Sequence, residues 1–105
     1  MRFILIFLTF ITSSPSMLRG EDLINLADEG YGEYLSSQCV TCHQPKSDKG
    51  IPLITGRDFE AIVFMLNAYK NKEMKNQVMQ LVAGSLDDEQ MASLALYFSK
   101  LPLEE

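Results

Sequence analysis

Two thiols and one imidazole lie within five consecutive residues of this chain, Cys39-Val40-Thr41-Cys42-His43. They are the only two cysteines and the only histidine among its 105 residues. Residues three and four positions apart project from the same side of a helical turn. A turn of helix here would therefore place both sulfur atoms and the imidazole on one side of the backbone, where they could hold a single group.

The spacing C-x-x-C-H is typical of covalent haem attachment. Each thiol can add to one vinyl group of a haem, and the histidine that follows can then reach the iron. We therefore predict one haem c, held by Cys39 and Cys42 and ligated by His43. The alternatives are a disulfide or free thiols, a thioredoxin-like redox pair, and half of a zinc site. A redox pair needs a βαβ context, which the sequence lacks, and a zinc site needs a second pair of ligands.

A second axial ligand to the iron must come from a residue other than histidine, because His43 is the only one. Methionine is the usual partner of histidine in cytochromes c. Met65 and Met91 fall inside predicted helices, where methionine more often packs in the core. Met74 and Met79 remain as candidates, and the alternative to both is a five-coordinate haem.

The elements that position these residues are predicted to be about four short helices, which makes the fold class all-α. A rough apolar helical stripe runs from Asp22 to Gln38 and leads into Cys39. Gly30 and Gly32 interrupt this stripe, so we expect a short helical turn, a break, and then a longer helix.

A loop rich in proline and glycine covers residues 44–57, and Thr55 or Asp58 can cap the helix that follows it. The apolar face of that helix consists of Phe59, Ile62, Val63, Leu66 and Tyr69. A polar connection over residues 70–77 then leads to a shorter helix over residues 77–83.

The last helix is predicted to begin at a capping box formed by Ser85 and Asp88. Its apolar face consists of Met91, Leu94, Ala95, Phe98 and Leu101. Lys100 complements the helix dipole in the last turn, and Pro102 ends the helix.

The N-terminal segment from Met1 to Ile11 combines one arginine with an apolar run, the layout of a secretory signal peptide. The run is shorter than the roughly 20 residues that span a bilayer. A buried strand and a retained anchor are the alternatives. We expect residues 1–20 to be removed by a cut after Ser16 or Gly20, which leaves an exported, periplasmic domain over residues 21–105 without a membrane span.

The charge balance argues against nucleic acid as a partner, because the formal net charge is −5 and becomes −7 without the two arginines of residues 1–20. Residues 43–80 have a positive net charge instead, since they hold six basic and four acidic residues. We hypothesise that the haem edge lies within a mildly positive docking face for a redox protein. Solvated loop lysines with no such role are the alternative.

These motifs together resemble the class I c-type cytochromes, and most closely the small cytochrome subunit of flavocytochrome c sulfide dehydrogenase and related monohaem cytochromes. The resemblance covers about residues 32–101. Its segments are Gly32-Glu33-Tyr34-Leu35 before the attachment motif, Gly50-Ile51-Pro52-Leu53-Ile54-Thr55-Gly56, Ala68-Tyr69-Lys70, Met79, and Ala95-Leu96-Tyr97-Phe98. The chain departs from the family at Gln44-Pro45, where relatives often have glycine, so we expect the loop over residues 44–50 to differ in shape.

The resemblance implies that the carbonyl of Pro52 accepts the proton of the second nitrogen of His43, and that Met79 is the axial methionine. It also implies one-electron transfer from a flavoprotein subunit rather than catalysis by this chain alone. Phe98, Leu101 and Leu103 could pack on such a subunit. The alternatives are a free diffusible electron carrier and, from another functional class, a five-coordinate haem that binds or senses a gas.

Overall fold

The computed structural model describes residues 20–45 and 50–103. Within them the chain forms five α-helices and no β-strand, which confirms the all-α prediction. The helices are α1 (Gly20–Leu26), α2 (Glu29–Val40), α3 (Phe59–Lys70), α4 (Gln77–Gly84) and α5 (Asp88–Lys100). The described part has five helices, not about four, because the short turn expected before the break forms a helix of its own, α1. None of its helices is long and apolar enough to cross a membrane.

The break in the first helical region lies at Ala27 and Asp28, so its prediction near Gly30 and Gly32 was wrong. Asp28 caps α2, because its carboxylate accepts a hydrogen bond from the Tyr31 N–H at 2.8 Å. An N-cap of this kind satisfies one of the free N–H groups at the start of a helix. Both glycines therefore lie inside α2, which leads into the attachment motif.

The close crossing of α2 and α5 explains why α2 contains Gly32. A Cβ atom at this position would lie 2.0 Å from the carbonyl oxygen of Ser93 in α5. Ser93 also accepts a hydrogen bond on its hydroxyl from the Asp28 N–H at 3.0 Å, and the Gln90 amide donates to the Tyr31 hydroxyl at 3.1 Å. These contacts fix α2, and hence its C-terminal end, against α5.

The core is built on α5, as its apolar periodicity predicted. Met91, Leu94, Ala95 and Phe98 are buried, and Leu101 is half-buried. The α3 helix contributes Ile62 and Val63, and the α4–α5 connection contributes Leu86. Phe98 is 2% exposed, so it is unavailable to a partner subunit, contrary to our expectation. Leu103 is 76% exposed.

The caps of the later helices differ from the predicted ones. The capping box of α5 is formed by Asp87 and Gln90, not by Ser85 and Asp88, because the helix begins two residues later than expected. Asp58 is the N-cap residue of α3, but its side chain makes no capping hydrogen bond. Thr55 does not cap α3 either, and its buried hydroxyl has no partner among the described residues.

The C-terminus of α3 turns the chain towards α4 through a Schellman motif. The Glu73 N–H donates to the carbonyl of Ala68 at 2.8 Å, and the Lys72 N–H donates to that of Tyr69 at 3.1 Å. Lys72 has the left-handed conformation of this motif, with φ 61°. The Lys70 ammonium donates to the carbonyl of Leu86, which ties the end of α3 to the α4–α5 connection.

Candidate functional site

The attachment motif continues the last turn of α2. The carbonyl of Cys39 accepts hydrogen bonds from the Cys42 N–H at 3.2 Å and from the His43 N–H at 2.9 Å. The Thr41 hydroxyl donates to the carbonyl of Ser37 at 3.0 Å. The bond from residue 43 to residue 39 is an α-helical one. Cys39, Cys42 and His43 therefore lie on one turn, as their spacing predicted.

The imidazole of His43 is held by the loop that precedes α3. Its Nδ1 lies 2.6 Å from the carbonyl oxygen of Pro52. A carbonyl oxygen only accepts, so Nδ1 carries a proton, and in the neutral imidazole Nε2 is then the nitrogen with the free lone pair. The loop is tied in turn by the Arg57 guanidinium, whose Nε donates to the carbonyl of Leu53 at 2.7 Å. The hydrogen bond expected between His43 and Pro52 is thus present.

An apolar cleft lies where α2, α3, α4 and α5 meet. The volume of this cleft is about 60 Å³. Its lining includes Cys39, Cys42, His43 and Met79. The aliphatic and aromatic part of the lining includes Ile54, Ile62, Leu66, Val82, Leu94 and Phe98. The tertiary structure therefore gathers two thiols, an imidazole and a thioether on one apolar surface, although Met79 is 36 positions beyond His43 in the chain.

The methionines of the described residues lie in different surroundings. Met79 lies in the first turn of α4 and lines the cleft, whereas Met74 lies in the connection before α4 and is not part of the lining. Met91 is 1% exposed in the core, and Met65 is 39% exposed on α3. Of the four methionines in the described residues, Met79 alone shares the cleft with His43. It lies within α4, not in the connection before that helix.

The two cysteines differ in environment. Cys39 is half-buried and Cys42 is exposed, and both thiols are free. Burial raises the pKa of the Cys39 thiol. Cys39 also lies at the C-terminal end of α2, where the helix dipole disfavours a negative charge. Reactive thiols lie in environments that lower their pKa, so the environment of Cys39 does not favour a reactive thiolate there.

The basic residues of the hypothesised docking face have mixed roles. Lys70 and Arg57 donate hydrogen bonds within the chain, to the carbonyls of Leu86 and Leu53. Lys72 and Lys75 are exposed in the connection to α4. The remaining two, Lys46 and Lys49, lie outside the described residues, as does the predicted signal segment up to residue 19.

The sequence also held features of the site that our prediction missed. Asn76 is the N-cap residue of α4, and its side-chain oxygen accepts from the Met79 N–H at 3.0 Å. An asparagine just before an apolar helix is a recognised start signal, so this role could have been predicted. Val82 and Leu86 also line the cleft. Their position there depends on how α4 packs and has no comparable local signal.

The residues of the cleft fit a covalently bound haem. The lining offers two thiols for thioether bonds, an imidazole with one nitrogen already engaged, and a thioether sulfur. Cofactor sites are typically apolar and carry a few well-placed polar groups, and the composition of this lining agrees with that description. No three His, Cys, Asp or Glu side chains among residues 20–45 and 50–103 form a group that could hold a metal ion.

Comparison with known proteins adds no family assignment. The sequence matches no protein-family model and no curated protein.

Proposed function

We propose that this chain is an exported monohaem c-type cytochrome of class I that transfers single electrons. The observation that carries the proposal is the cleft, where the C-x-x-C-H turn and Met79 meet on an apolar surface. A bound haem supplies an iron that exchanges one electron between its ferric and ferrous forms. The protein itself would be an electron carrier or an electron-transfer subunit, not an enzyme.

Cys39 and Cys42 would hold the haem covalently, one thioether bond each. Their position on the last turn of α2 matters, because α2 is fixed against α5 at the Gly32 crossing. The attachment point is therefore rigid relative to the core helix that forms part of the cleft wall. A rigid attachment limits the movement of the cofactor between redox states.

His43 would be one axial ligand, through Nε2. The hydrogen bond from Nδ1 to the Pro52 carbonyl selects the tautomer that leaves Nε2 unprotonated, and it fixes the rotation of the ring. Partners of this kind also make a ligand more basic and so tune the metal. Pro52 acts here through its main-chain oxygen, which the Leu53–Arg57 bond helps to hold in place.

Met79 would be the other axial ligand. Its place in the cleft lining supports this choice over Met74, which the residues alone left open. Histidine–methionine ligation raises the reduction potential of a c-type haem. With both axial positions taken by the protein, no substrate or gas could bind without displacing a ligand, which favours electron transfer over gas binding.

The partner is proposed to be another redox protein, a flavoprotein subunit of the sulfide dehydrogenase type. Val78 lines the cleft yet is 63% exposed, and Leu81 on the same helix is 73% exposed. α4 carries no charged residue. An uncharged helix with exposed apolar side chains beside the cleft supports contact with a protein. A free carrier between membrane complexes would use the same site for transient contacts.

The first test is the presence of the haem. The chain is expressed with its N-terminal segment in a host with haem-attachment machinery, and the exported protein is extracted with acid acetone. We expect the porphyrin to stay with the protein, and oxidised and reduced spectra to be those of a low-spin c-type haem. A double variant, Cys39→Ala with Cys42→Ala, should release it. A wild-type protein without bound porphyrin would refute the proposal.

The second test compares the two methionines. Met79→Ala should abolish the weak far-red sulfur-to-iron band of the oxidised protein and allow carbon monoxide to bind the reduced protein readily. The matched variant Met74→Ala should leave both properties unchanged. The opposite result would make Met74 the ligand. Carbon monoxide binding by the wild-type protein would instead support a five-coordinate gas-binding module.

The third test separates a subunit from a free carrier. The tagged holoprotein is purified gently from its own organism. Stoichiometric recovery of a flavin-containing protein would support the subunit, and recovery of the cytochrome alone as a monomer would support the diffusible carrier.

A further inference from the structure

Asn76 binds the turn of α4 that contains Met79. Its side-chain oxygen accepts from the Met79 N–H at 3.0 Å, and its carbonyl accepts from the Gln80 N–H at 2.9 Å. The backbone of Asn76 is extended, with φ −166° and ψ 114°, so the chain enters the helix at this residue. Asn76 thus accepts two hydrogen bonds that define where the first turn of α4 begins and where the Met79 side chain starts.

A further hydrogen bond links the connection between α3 and α4 to the same helix. The Gln80 amide donates to the carbonyl of Met74 at 2.9 Å. Upstream, the N–H groups of Glu73 and Met74 both donate to the carbonyl of Ala68 in α3. The segment between α3 and α4 is therefore held at both ends. The position of Met79 relative to α3 thus depends on the hydrogen bonds of Met74 and Asn76.

α4 depends strongly on such ties because it is short. It has 8 residues, and helices this short are unstable by themselves in water. Its outer side is exposed at Val78 and Leu81, so packing within the described residues covers only part of it. Elements with little burial open locally before the whole protein unfolds. The cap is then a large part of what keeps the first turn closed.

We propose that Asn76 is the positioning residue for Met79, and that its side-chain oxygen keeps the methionine sulfur at the iron. This inference rests on the proposed function, because it concerns the axial ligand. Without the oxygen, the first turn of α4 would open more often, and Met79 would leave the ligand position while the rest of the fold stayed closed.

The experiment measures how fast added imidazole binds to the oxidised holoprotein, since imidazole enters only when the methionine leaves. Loss of an N-cap oxygen corresponds to about a fivefold change in the opening equilibrium. Asn76→Ala should therefore speed imidazole binding about fivefold and raise the apparent affinity for imidazole by the same factor. Asn76→Ser and Asn76→Asp, which keep a side-chain oxygen at the cap, should restore both readouts to near the wild-type values.

Asp87→Ala is the matched control. It removes the corresponding cap of α5, where the Asp87 carboxylate accepts from the Gln90 N–H at 2.8 Å, and α5 carries no proposed ligand. It should lower thermal stability but leave the imidazole rate within about twofold of wild type. Equal acceleration by both alanine variants would mean general destabilisation and would overturn the inference, as would an unchanged rate in Asn76→Ala.

Two further outcomes complete the test. Gln80→Ala removes the tie to Met74 and should speed imidazole binding in the same direction, which keeps the inference testable if Asn76→Ala does not accumulate as folded holoprotein. An unchanged rate in that variant would then count against the inference. A wild-type protein without a far-red band would overturn the proposed ligand itself, and the positioning role with it, whereas a normal band with no effect of the variants overturns only the positioning role.

Discussion

Replacing Gly32 by alanine tests the helix crossing on which the site depends. The new Cβ would lie 2.0 Å from the carbonyl oxygen of Ser93, 2.6 Å from its carbonyl carbon and 2.8 Å from the Cβ of Tyr97. Real Cβ contacts are essentially never closer than 3.0 Å. The two nearest atoms belong to the backbone of α5, which cannot rotate away. α2 and α5 must therefore separate locally by about 1 Å.

The expected loss follows from two opposing contributions. Overpacking of a close contact costs about 1–3 kcal/mol, and a backbone obstacle places this site at the upper end. Alanine in place of glycine inside a helix contributes about 0.5–1 kcal/mol of stability. The net effect is a destabilisation of about 2 kcal/mol. For a domain of this size that corresponds to a decrease in Tm of about 10 °C.

Gly30→Ala is the matched control, because it makes the same change two positions earlier in α2. Within residues 20–45 and 50–103, its Cβ would meet only the Asp28 carboxylate oxygen, at an ordinary 3.4 Å. This variant should be slightly stabilised, by up to about 1 kcal/mol. Thermal and urea unfolding of the holoproteins, followed by circular dichroism, measures both. If Gly32→Ala were as stable as Gly30→Ala, the close crossing of α2 and α5 would be refuted.

Three further predictions concern stability and are measured by the same unfolding experiments. Lys72→Gly should stabilise the protein by about 1 kcal/mol, because Lys72 has φ 61° at the Schellman position; a loss of stability would contradict that geometry. Gly56→Ala should lower stability more than Gly50→Ala. Both residues have positive φ, which costs a side chain about 1–2 kcal/mol each, but among the described residues only the Cβ at Gly56 would meet other atoms, the nearest at 2.7 Å. Glu29→Gln should change stability by less than about 1 kcal/mol, since its ion pair with Lys100 is half exposed; a larger loss would show that this pair holds α2 and α5 together.

Local spacing in the sequence was sufficient to predict the all-α class and the helical turn that carries the two thiols and the imidazole. Helical periodicity and the C-x-x-C-H spacing involve residues within one or two turns of each other, so the backbone alone relates them. The apolar stripe of α5 was predicted for the same reason, and its residues Met91, Leu94 and Phe98 form the core. The break before α2 was predicted in the wrong place because glycine was taken as a helix breaker, although Gly32 permits a close helix crossing.

Tertiary structure decided what local spacing left open. Met74 and Met79 are equivalent as residue types, and only the packing of α4 against α3 brings one of them into the cleft with His43. The bond from His43 to Pro52 was expected from family resemblance, since no rule of spacing would select a main-chain carbonyl nine positions away. Such choices depend on contacts between segments far apart in the chain. The sequence encodes those contacts through the volume and shape of many side chains at once, and a single motif does not reveal them.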